Sequence, residues 1–392
     1  MSRQRLLRWF HAGLTAVEPR SRVRVALADR PAPRRWHLLA VGKAAPGMVA
    51  GAIEAWGPPH QGVVVTPADA PVAAIALPAS LAQALVCLVG AHPIPDERSL
   101  AAGEALLALV NRLQQPGCRE DPVLLLVSGG ASSLAEALVP GQTLPALQAM
   151  TREALAGGLD IVQLNARRRE LSRLKGGALV RALGPERVTA LTLSDVPGDS
   201  PSLIGSGLAC GDAPDSQPAA MACIGKLEDA LQGIEAAARA DGVELLRLPG
   251  RFAGAAAAVA REFVGQLGPG RGLLWGGEST MVLPPAPGRG GRNQHLALEA
   301  AVRMAGWPDV ALLAAGTDGI DGVTPDAGAL VDGGTVRRGE AGAGVPCASA
   351  LATADSGTFL EAAGDLVHTG PTGTNVGDIL VAWWPPPAGR GA

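Results

Sequence analysis

Two of the chain's three lysines stand beside glycines, Lys43 in Val41-Gly-Lys-Ala44 and Lys175 in Leu174-Lys-Gly-Gly177, while the other 30 basic side chains are arginine. A compact ammonium suits a phosphoryl oxygen where a guanidinium would not fit. With so few lysines, chance placement is the competing reading. Gly288-Arg-Gly-Gly-Arg-Asn-Gln294 offers a second arrangement for an anion. Its glycines let backbone N–H groups approach a ligand, and Arg289 and Arg292 carry bidentate forks. The helical run Leu296–Met304 follows directly, so its N-terminal dipole would face the same anion. An exposed Arg-rich hairpin is the alternative. Two acidic loops, Ser194-Asp-Val-Pro-Gly-Asp199 and Thr317-Asp-Gly-Ile-Asp321, each end an apolar run with two carboxylates: Asp195 and Asp199, then Asp318 and Asp321. Such hard oxygens suit Mg²⁺ bound with substrate phosphates, or one could accept a hydroxyl proton. Asp beside Gly is also ordinary turn chemistry.

Ser128-Gly-Gly-Ala-Ser-Ser133 and Thr369-Gly-Pro-Thr-Gly-Thr-Asn375 add hydroxyls and backbone donors. The first is not the Gly-x-Ser-x-Gly elbow of a serine hydrolase. His92, between Gly90-Ala and Pro93, reads as a substrate contact or as a buried structural group. No two histidines have metal-ligand spacing, which argues against a zinc enzyme. A Walker A loop, the protein-kinase signatures and a GxGxxG fingerprint are all absent from the sequence.

The elements that carry these loops are short apolar runs without alternation: His37–Val41, Val123–Val127, Val188–Leu193, Leu273–Trp275, Val310–Ala315 and the stretch from Asp365. Runs of this kind are strands buried on both faces. Helical stretches such as Ser99–Leu113 lie between several of them, so the expected class is α/β with mostly parallel sheets, and ligands are expected at the strands' carboxyl ends. A domain boundary falls near 230–270. Arg337–Thr353 and Pro385–Ala392, rich in Gly, Pro and Ala, read as loops. The basic N-terminus is either a targeting peptide or a helix burying Leu6, Phe10, Leu14 and Val17; the periodicity favours the helix.

Net charge is −3 and aromatic residues make up 3%, so neither nucleic acid nor an anionic membrane is an expected partner. The charge-free stretch Ala70–Pro95 is broken by prolines and reads as two buried elements instead of a membrane span. Five scattered cysteines without a CxxC pair fit a reducing, cytoplasmic setting.

Taken in order, the motifs resemble the MOFRL-type, class II glycerate kinases. The matching segments are Val41–Ala44, His92–Glu97, Ser128–Gly130, Leu164-Asn165, Leu171–Gly177, Leu193–Asp199, Ile204–Gly207, Gly276–Thr280, Gly288–Gln294, Gly316–Gly322 and Thr369–Val376. The resemblance implies a Rossmann-like α/β domain over 1–235, a MOFRL-type α/β domain over 236–392, and an active site in the cleft between them. It implies ATP as donor, Mg²⁺, D-glycerate as the small-molecule substrate and a monomer or homodimer. Lys43 and Arg292 carry over as catalytic residues, with Asp195 and Asp318 beside them. Gly42, Ser128, Gly129, Gly130, Asn165, Lys175, Gly290, Gly291, Asn293, Thr317, Thr372 and Asn375 carry over as substrate or nucleotide contacts, and Asp195, Asp199, Asp318 and Asp321 as candidate metal ligands. Three positions depart from the pattern: His295 stands for a usual Glu, Leu208 for a usual Pro, and the aromatics before the last strand shrink to Phe359.

The expected activity is ATP-dependent phosphorylation of D-glycerate, at the 2-hydroxyl. The alternatives are an NAD(P)H-dependent hydroxypyruvate reductase, which the missing fingerprint disfavours, and a non-catalytic binder of a nucleotide or sugar acid.

Overall fold

The computed structural model describes residues 2–68, 70, 84–154 and 161–387. Helix α1 (Ser2–Ala16) buries Leu6, Trp9 and Phe10 on one face, as the periodicity predicts. Its polar face is tied down by ion pairs from Arg3 to Asp332 (2.7 Å) and Asp365 (2.8 Å), and from Arg8 to Asp241 (2.9 Å). It belongs to a compact unit with Leu227–Thr372 and the segment from Val376 onward, called here the second unit. The first unit is Val17–Lys226 with Gly373–Asn375.

In chain order the first unit contains α2 (Pro19–Leu27), β1 (His37–Val41), α3 (Ala45–Trp56), β2 (Gln61–Thr66), β3 (Leu85–Val89), α4 (Glu97–Leu113) and β4 (Val123–Val127). It continues with α5 (Ala131–Leu134), α6 (Leu144–Glu153), α7 (Ile161–Glu170), α8 (Ala178–Leu183), β5 (Val188–Leu193) and β6 (Ala220–Gly225). Its six strands pair in parallel in the order β3-β2-β1-β4-β5-β6. Every residue of β1 and β4 is buried, which is why these runs show no polar alternation. Helix α4 begins with a capping box: Asp96 accepts from the Arg98 and Ser99 N–H groups, and Ser99 Oγ accepts from the Asp96 N–H. The strand order reverses between β1 and β4, and such a switch point opens a crevice at the strands' carboxyl ends. The stretch read as buried elements over Ala70–Pro95 yields β3; residues 71–83 lie outside the described ones.

The second unit continues with α9 (Leu227–Ala240), β7 (Leu245–Arg247), β8 (Phe252–Ala255), α10 (Ala256–Gly265), β9 (Arg271–Thr280), α11 (Arg292–Arg303) and β10 (Ala311–Gly316). Then come β11 (Gly328–Asp332), α12 (Thr335–Ala343), α13 (Cys347–Ala352), α14 (Ser356–Ala363), β12 (Leu366–Val367) and β13 (Asp378–Trp384). The sheet runs β12-β11-β10-β13-β9-β7, with β8 also on β9. Here the expected parallel pairing holds only for β7 and β8 on β9; the pairings among β9 to β13 are antiparallel. The cause is visible between β10 and β11: residues 317–327 form no crossover helix, so the chain turns back beside itself.

The stretch Arg337–Thr353, read as a loop, is instead helical. Its glycines serve close helix packing: a Cβ on Gly339 would sit 2.1 Å from Phe359 Cε1, and one on Gly342 2.7 Å from the Ala362 carbonyl oxygen. Phe359 is itself 1% exposed in the core of this unit. Phe10 on α1 is fully buried. Phe10→Ala is expected to lower unfolding free energy by about 3–5 kcal/mol, read from denaturant midpoints, because a cavity replaces the ring.

Candidate active site

At the carboxyl ends of β1 and β4 two loops interlock. Gly42 has φ +139°, and a Cβ there would lie 2.1 Å from Ser128 Oγ, so only glycine fits. The buried Ser128 hydroxyl accepts from the Ala44 N–H (3.0 Å) at the start of α3, and the Lys43 N–H donates to the Gly129 carbonyl (2.9 Å). Ser128 therefore joins the two loops, and the glycines beyond it face the functional side chains. A Cβ on Gly129 would be 2.3 Å from Asp195 Oδ2, and one on Gly130 3.1 Å from His92 Cδ2 and 3.5 Å from Lys43 Cγ. Lys43, His92 and Asp195 thus gather around a strip of backbone without side chains. His92 is exposed, not the buried structural group its neighbouring prolines suggest. Asn375 Nδ2 donates to Asp195 Oδ2 (3.2 Å) and fixes that carboxylate over Gly129.

The other residues expected in this unit fall into two groups. Asn165 Oδ1 accepts the Ser206 hydroxyl (2.7 Å), and Ser206 Oγ also meets Ser132 Oγ (2.8 Å). Lys175 has no exposed side-chain surface and pairs with buried Glu136. Burial pulls the Lys175 ammonium below the usual lysine range, and Glu136 opposes that. Lys175 is thus held in the interior by Glu136.

In the second unit the loop before α11 is organised by a carboxylate. Asp321, 2% exposed, accepts from the N–H groups of Asn293 (3.1 Å) and Gln294 (2.8 Å). These two N–H groups, expected to face a bound anion, are taken by the protein's own Asp321 side chain. Gly291 is required by the same contact, since its Cβ would be 2.3 Å from Asp321 Cγ. Burial pushes the Asp321 carboxyl up to about 7 despite the two N–H donors. Arg289 is likewise engaged, by Glu361 and Asp326.

Arg292, the first residue of α11, is held by Asp378 (Nε to Oδ2 2.8 Å, Nη2 to Oδ1 3.3 Å) and Glu278 (2.7 Å). Burial disfavours its charge, but Asp378 and Glu278 outweigh this and raise its pKa above the ordinary arginine value. Its side chain remains 39% exposed, so one face is open. Asp378 was not singled out from the sequence; the signal was a carboxylate opening the apolar run Asp378-Ile-Leu-Val-Ala382. Thr317 Oγ1 donates to the Gly377 carbonyl (2.7 Å) and accepts from the Val376 N–H (2.9 Å); Thr372 Oγ1 donates to the Thr317 carbonyl (2.5 Å). These threonines brace the Asp318 loop, where Asp318 Oδ1 accepts from the Ile320 N–H (3.2 Å).

Residues 5–237 match the family described as "Domain of unknown function (DUF4147)", and residues 271–378 match the MOFRL family. A D-glycerate 2-kinase of Thermotoga maritima is 33% identical, over 88% of this chain and 89% of its own. The crystal structure of a glycerate kinase from the same organism superposes with TM-score 0.83 at 30% identity, over 97% of this chain and 99% of that one. The chain belongs to the MOFRL-type glycerate kinase family. A protein of Agrobacterium vitis named for hydroxypyruvate reduction is 35% identical, over 96% of this chain and 93% of its own.

Where the sequence departs from the glycerate kinase pattern, the structure absorbs the change. Leu208 is 1% exposed and packs in the first unit's core. His295 Nδ1 lies 3.2 Å from Ser356 Oγ, and burial lowers its pKa, which favours a neutral ring. Among the proposed metal ligands, Asp321 is committed to α11, whereas Asp199 Oδ1 is buried with no hydrogen-bond partner among the described residues. Asp199 also holds a left-handed φ of +50°, a conformation that favours glycine. A hard carboxylate oxygen lacking a partner fits Mg²⁺.

Asp321 sets a pH dependence. Its carboxyl titrates at 3.8 when unperturbed and at about 7 in the fold, so between these values the folded chain keeps a proton the unfolded chain has lost. The stabilisation is full at the acid end and fades as pH rises through about 7. The stability difference between wild type and Asp321→Asn, from urea midpoints, is expected to shrink from about pH 5 to about pH 8.

Proposed function

We propose that this chain transfers the γ-phosphoryl group of ATP to the 2-hydroxyl of D-glycerate, releasing ADP and 2-phosphoglycerate. The observation that carries this reading is the junction at the switch point, where Lys43, His92 and Asp195 surround Gly129 and Gly130. Family membership supports it, since named relatives are glycerate kinases. Phosphoryl transfer rests on positioning and charge stabilisation more than on covalent chemistry by the protein. Lys43 neutralises charge on the transferring group; in the second unit Arg292, oriented by Asp378 and Glu278, is a fixed cation for an anionic ligand. The N–H groups of Gly129 and Gly130 hold phosphate oxygens, which the bare backbone there permits. Asp195, fixed by Asn375, orients the attacking hydroxyl and takes its proton as the new P–O bond forms. Asp318 is the other candidate for that role. Asp199, whose Oδ1 has no hydrogen-bond partner among the described residues, would hold Mg²⁺, which would supply further charge neutralisation. Glycerate and ATP are small soluble substrates, and among the described residues no helix is long and apolar enough to cross a membrane.

The test is an end-point assay with D-glycerate, ATP and Mg²⁺, read by ³¹P NMR. A product phosphorus split by one carbon-bound proton is the expected 2-phosphoglycerate; splitting by two would shift the assignment to the 3-hydroxyl. Lys43→Ala is expected to lower kcat by about 10²–10³-fold with an unchanged melting temperature. Wild-type turnover in that variant would remove Lys43 from the mechanism. Oxidation of NADH or NADPH on adding hydroxypyruvate, with no phosphorylation, would favour the reductase.

A further inference from the structure

At the amino ends of the first unit's strands, His37, Cys118 and Asp121 bring together a nitrogen, a sulfur and an oxygen donor. One donor atom from each lies within 4.8 Å of the other two. His37 opens β1 and is fully buried, while Cys118 and Asp121 are half-buried on the turn that leads into β4. The histidine and the aspartate are 84 residues apart, so no spacing motif marks them. In the fold His37 Nε2 is 3.0 Å from Asp121 Oδ2. Backbone bonds fix this meeting. The Asp121 N–H donates to the Cys118 carbonyl (3.1 Å), which closes the turn, and the His37 N–H donates to the Pro122 carbonyl (3.0 Å). Arg187 Nη1 clamps the same turn by donating to the carbonyls of Cys118 and Arg119, both at 2.9 Å.

A positive charge already stands among these donors. Arg35 Nε is 3.0 Å from Asp121 Oδ2, and Arg35 Nη2 donates to Cys118 Sγ (3.1 Å). Sulfur and carboxylate lone pairs thus converge on one cation. The Arg35 side chain is 39% exposed, so it can turn out into water and give up that place. Thiolate, imidazole and carboxylate together suit a borderline-soft divalent ion such as Zn²⁺, whereas Mg²⁺ prefers oxygen alone. Tetrahedral Zn²⁺ holds such donors about 3.3–3.8 Å apart, so these three need to draw in by about 1–1.5 Å at most. Exposed His60 meets the His37 ring edge to face at 5.7 Å, and it or a water molecule supplies the fourth donor.

We propose that His37, Cys118 and Asp121 form a zinc site that ties the start of β1 to the turn before β4. On binding, the Cys118 thiol gives its proton to solvent as the sulfur–zinc bond forms, and Arg35 leaves the carboxylate. The role is structural. β1 is five residues long, so its start lies about 15 Å from the Gly42 loop at its other end. The site is independent of the glycerate kinase reading and of the Mg²⁺ that Asp199 would hold.

The test uses the full chain, stripped with a chelator, kept reduced and supplied with saturating Mg²⁺. It is titrated with Co²⁺ and then with Zn²⁺. One equivalent of Co²⁺ is expected to give a thiolate-to-cobalt charge-transfer band in the near ultraviolet, which Zn²⁺ then abolishes. Cys118→Ser should lose the band and weaken Zn²⁺ binding by about 10²-fold, read by calorimetry. His37→Gln should weaken it similarly, and Arg35→Gln should tighten it several-fold by removing the competing cation. Zn²⁺ should raise the melting temperature of wild type and leave that of Cys118→Ser unchanged. If His37→Gln does not fold, Cys118→Ser and Arg35→Gln still decide. A band that persists in Cys118→Ser would place the ion on another thiol and overturn the proposal. Failure of wild type to bind either ion would make Arg35 the permanent partner of Cys118 and Asp121, and would overturn it too.

Discussion

The closest constraint in the first unit is the approach of Gly42 to Ser128. β1 and β4 are adjacent parallel strands, paired from His37 with Val123 to Val41 with Val127, and both leave the sheet at the same level. Their loops would collide if either carried a side chain at that point. With glycine there, the Ser128 hydroxyl can reach the Ala44 N–H and the Lys43 N–H can reach the Gly129 carbonyl. Those two bonds set where α3 begins and hold Lys43 over Gly130. A Cβ at Gly129 would push against the Asp195 carboxylate, and Gly130 holds a left-handed φ of +83° that favours glycine. A Rossmann-type strand order therefore serves here without the three-glycine fingerprint, since the first turn brings up a lysine and the neighbouring loop supplies the bare backbone.

The second unit solves a related problem with charge. A helix N-terminus attracts an anion, and in α11 that anion is Asp321. The internal cap leaves the outward chemistry of this loop to Arg292. Asp378 and Glu278 grip the guanidinium from two sides, so its orientation is set before any ligand arrives. Preorganised charge of this kind stabilises a transition state without reorganisation at the moment of reaction. Asp378 can do this because it opens β13, the central strand between β9 and β10, and so stands beside the ends of both.

Much of this was legible in the sequence. The both-face-buried strands announced themselves as unbroken apolar runs, and the glycine-rich loops at their ends mark the candidate site residues Lys43, Asp195 and Arg292. The misreadings share one cause. Gly339 and Gly342 look like loop residues, yet each is a point of helix contact, against Phe359 and Ala362. Lys175 beside two glycines looks like a phosphate ligand, yet its partner is Glu136, far away in sequence. His92 beside prolines looks structural, yet it stands exposed over Gly130. In each case the deciding neighbour is remote in the chain, and local spacing carries no trace of it.

By itself the sequence determined the fold class, the family, the candidate site loops and the residue types available there. These follow from periodicity, turn residues and motif order, all of which are local along the chain. Tertiary structure alone decided which charges are free to act. It committed Asp321 to α11 and Lys175 to Glu136, and bound Arg292 to Asp378. Burial and hydrogen-bond partnership set the energy of a charged group, and both come from residues that only folding brings together.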